Sequence, residues 1–82
     1  MKVLYFSAPW CAPCKTFAPT FDEVVKAHSE VEFTKVNIDE DFELAKKYAV
    51  RGVPCIVALE GDKEVARIAG GLTKTKLEQL LS

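Results

Sequence analysis

No stretch of this 82-residue chain is apolar for long. The longest unbroken run is Cys55 to Leu59, whereas a bilayer-spanning helix needs about 20 residues, so no membrane association is expected. Met1-Lys2 and four apolar residues make too short an h-region for a secretory signal, and no cleavage site follows, which makes the cytoplasm the expected compartment. An excess of positive charge is missing too: the net charge is -1 and no basic stripe is present, so nucleic acid is not an expected partner. Histidine is nearly absent. A zinc site built on Cys11 and Cys14 would have only His28 and Cys55 to complete it, and neither sits in a paired ligand spacing, so no metal is expected. Internal repeats, low-complexity tracts and linkers are all lacking, and residues 1–82 read as one domain. A chain this short buries only about 60% of its unfolded surface, so its core must be thin.

The informative stretch is Ser7-Ala8-Pro9-Trp10-Cys11-Ala12-Pro13-Cys14-Lys15. An apolar run, Val3-Leu4-Tyr5-Phe6, precedes it and a helical pattern follows. Cysteines three residues apart on a helix's first turn share a face and are close enough to pair. The same turn offers unpaired N–H groups and the positive end of the helix dipole, both of which favour a thiolate. Strand, exposed cysteine, helix start and second cysteine together form a reversible disulfide. Pro13 suits an early helical position, where its missing N–H has no helical partner. Trp10 forms an apolar shoulder beside the pair.

Along the chain, Lys2 to Phe6 reads as a strand buried on both faces. From about Cys11 to His28, the spacing of Phe17, Phe21, Val24, Val25 and His28 is helical, with Pro19 expected to kink the helix. Val31 to Asn37 alternates as a half-buried strand. Asp39 or Asp41 can cap a short helix from Asp41 to Tyr48, with Phe42, Ala45 and Tyr48 inward. Val53 to Leu59 is a second apolar strand opened by Pro54. It turns through Glu60-Gly61-Asp62 into Lys63 to Ala69. Gly70-Gly71 ends that strand, and Thr73 caps a last helix with Leu77, Leu80 and Leu81 on one side. The order is βαβαββα, an α/β chain.

Trp10-Cys11-Ala12-Pro13-Cys14-Lys15 resembles the Trp-Cys-Gly-Pro-Cys-Lys motif of the thioredoxin family, with Ala12 in place of glycine. Further matches are Pro19, Lys35-Val36-Asn37-Ile38-Asp39, Tyr48-Ala49-Val50-Arg51-Gly52-Val53-Pro54 and Gly70, so the resemblance covers nearly the whole chain. It implies a minimal thioredoxin fold: a four-stranded mixed sheet in order 2-1-3-4, the first and third helices on one face and the second on the other. The extra N-terminal strand and helix of longer thioredoxins are not expected here.

The resemblance also implies chemistry. Cys11 becomes the nucleophile on a substrate disulfide, and Cys14 resolves the mixed disulfide. The Cys11–Cys14 disulfide is then the redox group, and no other cofactor is expected. Pro54 becomes a cis-proline, with Val53 before it binding substrate backbone as an added strand would. Trp10, Ala12, Pro13, Val53, Pro54 and Gly70 make up the implied substrate face. The family's buried aspartate, proton acceptor for the resolving cysteine, is here Tyr5, a poor base at neutral pH, while the lysine that partners that acid is kept as Lys35. Cys55, where the family commonly has threonine, reads as a small buried strand residue. The expected activity is protein-disulfide reduction by a monomer in electron transport and redox homeostasis, recharged by a thioredoxin reductase-like enzyme or by glutathione. Two alternatives stand beside it. One is a glutaredoxin-like, glutathione-dependent reductase, against which the absence of Cys-Pro-Tyr-Cys counts. The other is a thioredoxin-fold binding subunit of a larger protein.

Overall fold

The computed structural model describes Met1–Ser82. Its elements are β1 (Lys2–Ser7), α1 (Ala12–Ala27), β2 (Glu32–Asn37), α2 (Phe42–Lys47), β3 (Cys55–Glu60), β4 (Lys63–Ala69) and α3 (Lys74–Leu81). The four strands form one mixed sheet in the order β2-β1-β3-β4. β1 runs parallel to β2 and antiparallel to β3, so Tyr5 lies between Lys35 on one side and Ile56 on the other.

Successive side chains of a strand point to opposite faces. In β1 this sends Val3 and Tyr5 one way and Leu4 and Phe6 the other. Val3 and Tyr5 join Phe17, Phe21 and Val24 of α1, Ile56 and Ala58 of β3, and Leu77 of α3. Leu4 and Phe6 join Val36, Ala45, Cys55, Val57 and Leu59 beneath α2. The expected division of helices between faces therefore holds. Burying a large apolar side chain contributes about 1.5–3 kcal/mol, and Phe6, Phe21, Ile56 and Leu77 are all fully buried. The hairpin turns on Gly61, whose φ of +63° is a conformation that glycine adopts without steric penalty.

Two details depart from the pattern reading. Phe42 does not face the core: it is 68% exposed. It is the first residue of a six-residue helix capped by Asp41. Helical side chains lean toward the N-terminus, so at this position the ring projects past the start of the helix. Ala45 is buried in its place, with Leu44 and Tyr48 packed against the same cluster. The second departure is β3, which begins at Cys55, because Pro54 has no N–H to give the ladder.

The corner between α2 and β3 has its own brace. Ala49 takes a positive φ of 54°, costly for a residue with a Cβ. Arg67 on β4 donates to the carbonyls of Tyr48 and Ala49. The Glu64 carboxylate holds its guanidinium through two contacts of 2.8 Å. This brace holds the chain where it enters Arg51-Gly52-Val53-Pro54.

Candidate active site

Cys11 is the N-cap of α1, and Pro13 stands within the helix's first turn. The cap sets the two sulfurs face to face. Cys11 and Cys14 have Cα atoms 5.3 Å apart and sulfurs at bonding distance, 2.26 Å. The Cys14 backbone N–H donates to Cys11 Sγ at 3.2 Å. An N–H aimed at a sulfur stabilises negative charge there, and the end of a 16-residue helix adds to it. The arrangement therefore favours a thiolate on Cys11 once the bond opens.

Cys11 is less open than the sequence suggests. Only 4% of it is exposed, because Ala8 and Cys14 bury it, and Ile38 and Val53 pack against this small cluster. What remains accessible is framed by Trp10, Ala12 and Pro13, all exposed. The Val53–Pro54 peptide bond is cis, and Val53 packs against the cysteine cluster. Gly70 lies across from this loop: its N–H reaches the Pro54 carbonyl at 3.5 Å, and its φ is +77°.

Trp10 is 66% exposed, yet its indole is not free. Its Nε1–H donates to the Asp39 carboxylate at 3.1 and 3.3 Å. Asp39 is one of the two residues expected to cap α2. The cap is Asp41, whose carboxylate accepts the Leu44 N–H. The position of Asp39 two residues past the end of β2 is the one signal the sequence offers.

Tyr5 and Lys35, read as tuning residues, do not come together on Cys14. Tyr5 is 2% exposed, with its ring 4.4 Å from that of Phe21. Its hydroxyl donates to the Cys14 carbonyl at 3.3 Å rather than to the sulfur. Burial, helped by the nearby Asp22 carboxylate, raises its pKa above the ordinary tyrosine value. Lys35, the lysine kept where the family pairs it with the acid that Tyr5 replaces, pairs with Asp22 of α1 at 2.9 Å, and both side chains are more than half exposed. Tyr5, Lys35 and Cys14 do share the wall of a cavity of about 270 Å³, together with Ser7, Lys15 and Asn37.

Cys55 and His28 stand apart from this chemistry. Cys55 is buried in the cluster under α2, and desolvation raises its thiol pKa. His28 caps the C-terminus of α1 and bridges Glu30 at 3.3 Å and Glu78 of α3 at 3.1 Å. It ties two helices together on the side of the sheet away from α2.

The thioredoxin family model matches residues 1–82. Among curated proteins, the chain is 36% identical over 77 residues to thioredoxin 1 of Nostoc sp., covering 93% of this chain and 72% of that one. It is 39% identical over 80 residues to the thioredoxin of Mycoplasma pneumoniae, covering 98% and 78%. Among solved structures, the thioredoxin of Fasciola hepatica superposes with a TM-score of 0.92 at 40% identity, over 98% of this chain and 76% of that one.

Proposed function

The chain belongs to the thioredoxin family and is a dithiol–disulfide oxidoreductase, and from that premise we propose how its residues divide the work. Cys11 attacks one sulfur of a substrate protein's disulfide as a thiolate, and the other substrate sulfur leaves and takes a proton. The product is a mixed disulfide between Cys11 and the substrate. Cys14 then loses its proton and attacks Cys11 Sγ. The second substrate thiol leaves, and the Cys11–Cys14 bond forms. Two electrons have passed to the substrate, and a reductase returns them. The disulfide is the redox group, and no metal or other cofactor takes part.

The observation that carries this division is the hydrogen bond from the Cys14 N–H to Cys11 Sγ, which favours charge on the leading sulfur. Trp10, Ala12, Pro13, Val53, Pro54 and Gly70 form the face on which the substrate lies. A substrate strand adds along Val53, next to the cysteine cluster against which that residue packs. Residues 1–82 act as one domain, as a monomer, in the cytoplasm. No helix is long and apolar enough to cross a membrane. Reduction comes from a thioredoxin reductase-like enzyme or from glutathione.

Insulin reduction tests the reading, coupled to a thioredoxin reductase in one arm and to glutathione with its reductase in the other. Turnover is expected in the first arm and lost in Cys11→Ser. Cys14→Ser should accumulate substrate as mixed disulfides through Cys11. Adducts that map by mass spectrometry to Cys14 or Cys55 would overturn the assignment.

A further inference from the structure

Val50 to Val53 carry the chain from the end of α2 to the cis bond at Pro54, with little support of their own. α2 closes in a Schellman motif: the Ala49 N–H reaches the Lys46 carbonyl at 3.0 Å and the Val50 N–H the Ala45 carbonyl at 2.8 Å. Beyond it, Arg51, Gly52 and Val53 make no backbone hydrogen bond. A cavity of about 440 Å³ undercuts them, walled by Ala49, Arg51, Gly52, Cys55, Arg67 and Gly70. A Cβ added at Gly52 would meet nothing within 4 Å, so packing does not clamp the loop there either.

Both anchors of this loop come from one end of the sheet. At its far end, the N–H of Gly70, just past β4, reaches the Pro54 carbonyl at 3.5 Å. At its near end, Arg67 of β4 takes the Tyr48 and Ala49 carbonyls, which no backbone N–H reaches. Glu64 fixes the plane of the guanidinium from the other side, through Nε and Nη2. All three guanidinium nitrogens are engaged, so Arg67 is a fixed bracket rather than a mobile surface charge.

We propose that Arg67, aimed by Glu64, is a positioning residue for substrate recognition: it sets where the backbone of Val53 stands relative to Cys11. The inference rests on the reading that a substrate strand adds along Val53, and extends it to β4. Arg67 acts at one remove, through the Tyr48 and Ala49 carbonyls. Backbone contacts at Val53 are made alike before and during exchange. Displacing them removes binding that is uniform along the reaction, which shows in KM and not in kcat. A small aryl disulfide needs Cys11 but no added strand, so it does not sense the bracket.

The test compares wild type, Arg67→Met, Arg67→Lys and the double variant Arg67→Met/Ala49→Gly, each shown folded by circular dichroism, on insulin and on a small aryl disulfide. A slip of the binding geometry can cost up to about 10²-fold, and for Arg67→Met a rise of about tenfold in KM for insulin is expected. Its kcat, and its rate on the aryl disulfide, should stay within about twofold of wild type. Arg67→Lys keeps the charge without the fork, and its KM should stay raised by about threefold or more. Ala49→Gly separates position from stability. Glycine adopts the φ of +54° at position 49 without penalty, so the double variant should regain melting temperature while its KM stays raised. Equal KM in wild type and Arg67→Met would overturn the positioning role and leave the disulfide chemistry intact. An equal loss on both substrates would overturn it too, because the damage would then have reached the cysteines. Recovery of KM together with melting temperature in the double variant would reduce Arg67 to a structural brace and overturn the proposal. No insulin turnover by wild type would overturn the substrate reading, and the positioning role with it.

Discussion

Replacing Tyr5 with aspartate bears most directly on how Cys14 loses its proton. The wild-type hydroxyl is committed to the Cys14 carbonyl, and its pKa lies above the usual range, so it cannot act as a base near neutrality. Resolution should therefore follow the thiolate fraction of Cys14 alone, rising with pH and showing no inflection from Tyr5 below pH 10. A carboxylate at this position supplies a base, and general-base assistance is worth about 10²-fold or more where geometry is good. With the side chain's reach shortened, about tenfold at pH 7 is the expected gain. The cost to the fold is large. Losing a fully packed ring costs about 3–5 kcal/mol. Burying a carboxyl with incomplete partners adds about 1–3 kcal/mol. A domain of this length has only about 4–12 kcal/mol in hand, so the variant should sit near the edge of folding. Burial also raises the new acid's folded pKa above its unfolded value of about 3.9. The folded state then holds that proton more tightly, so stability falls as pH rises from about 4 until the folded carboxyl ionises. Tyr5→Phe isolates the hydrogen bond, worth about 1 kcal/mol, and should leave the rate–pH profile unchanged. The assay is single-turnover release of a chromogenic thiol from the Cys11 mixed disulfide between pH 6 and 9, run where each variant is folded by circular dichroism. Superimposable profiles for wild type and Tyr5→Asp would refute any part for position 5 in proton transfer.

Asp39→Asn keeps an acceptor for the Trp10 indole but removes the charge, and Asp39→Ala removes both. The alanine variant should shift Trp10 fluorescence and raise KM for insulin a few-fold, with stability lowered by no more than about 1 kcal/mol because the bond is exposed. Hydrogen bonding to Glu78 raises the His28 pKa. Its tie between α1 and α3 is therefore fully present below the ordinary histidine pKa and lost as pH rises through the raised value. The melting temperature of wild type should fall across that window, and His28→Gln should flatten the slope. Cys55→Thr should leave turnover within about twofold while lowering stability by about 1–3 kcal/mol, since a hydroxyl replaces a thiol among apolar neighbours. Slow alkylation of Cys55 in the folded protein would agree with its burial and raised pKa.

The element order and the paired cysteines were legible because each has a one-dimensional signature, whereas the sheet order came through the family resemblance. β1 shows four consecutive apolar residues, Val3 to Phe6, α1 a helical spacing, and the cysteines a spacing of one turn. The cis bond before Pro54 was legible only through the family motif, since X–Pro bonds are overwhelmingly trans. What stayed hidden depends on residues far apart in sequence. Asp39 lies 29 residues from Trp10. Arg67 reaches the Tyr48 carbonyl across 19 residues. Lys35 was read toward Cys14, but Asp22 on the facing helix claims it. Phe42 failed for a different reason: a helical period says which side a residue occupies only where turns exist on both sides of it.

The position of β1 has a consequence for how the molecule comes to be made. β1 is the first element of the sequence and a middle strand of the sheet. Its partners begin at Glu32 and Cys55, and its antiparallel ladder closes Lys2 onto Leu59. Until β3 exists, Val3, Leu4, Tyr5 and Phe6 have at most one neighbouring strand and an incomplete cover. A nascent chain therefore carries Val3 to Phe6 without the β3 neighbour until Leu59 has been made. The late closure is a long-range contact whose loop entropy is met before its reward, so β1–β3 pairing is expected to limit the rate of refolding. Substitutions at Tyr5 or Ile56 should then slow refolding, whereas changes in the local β3–β4 hairpin should mostly hasten unfolding.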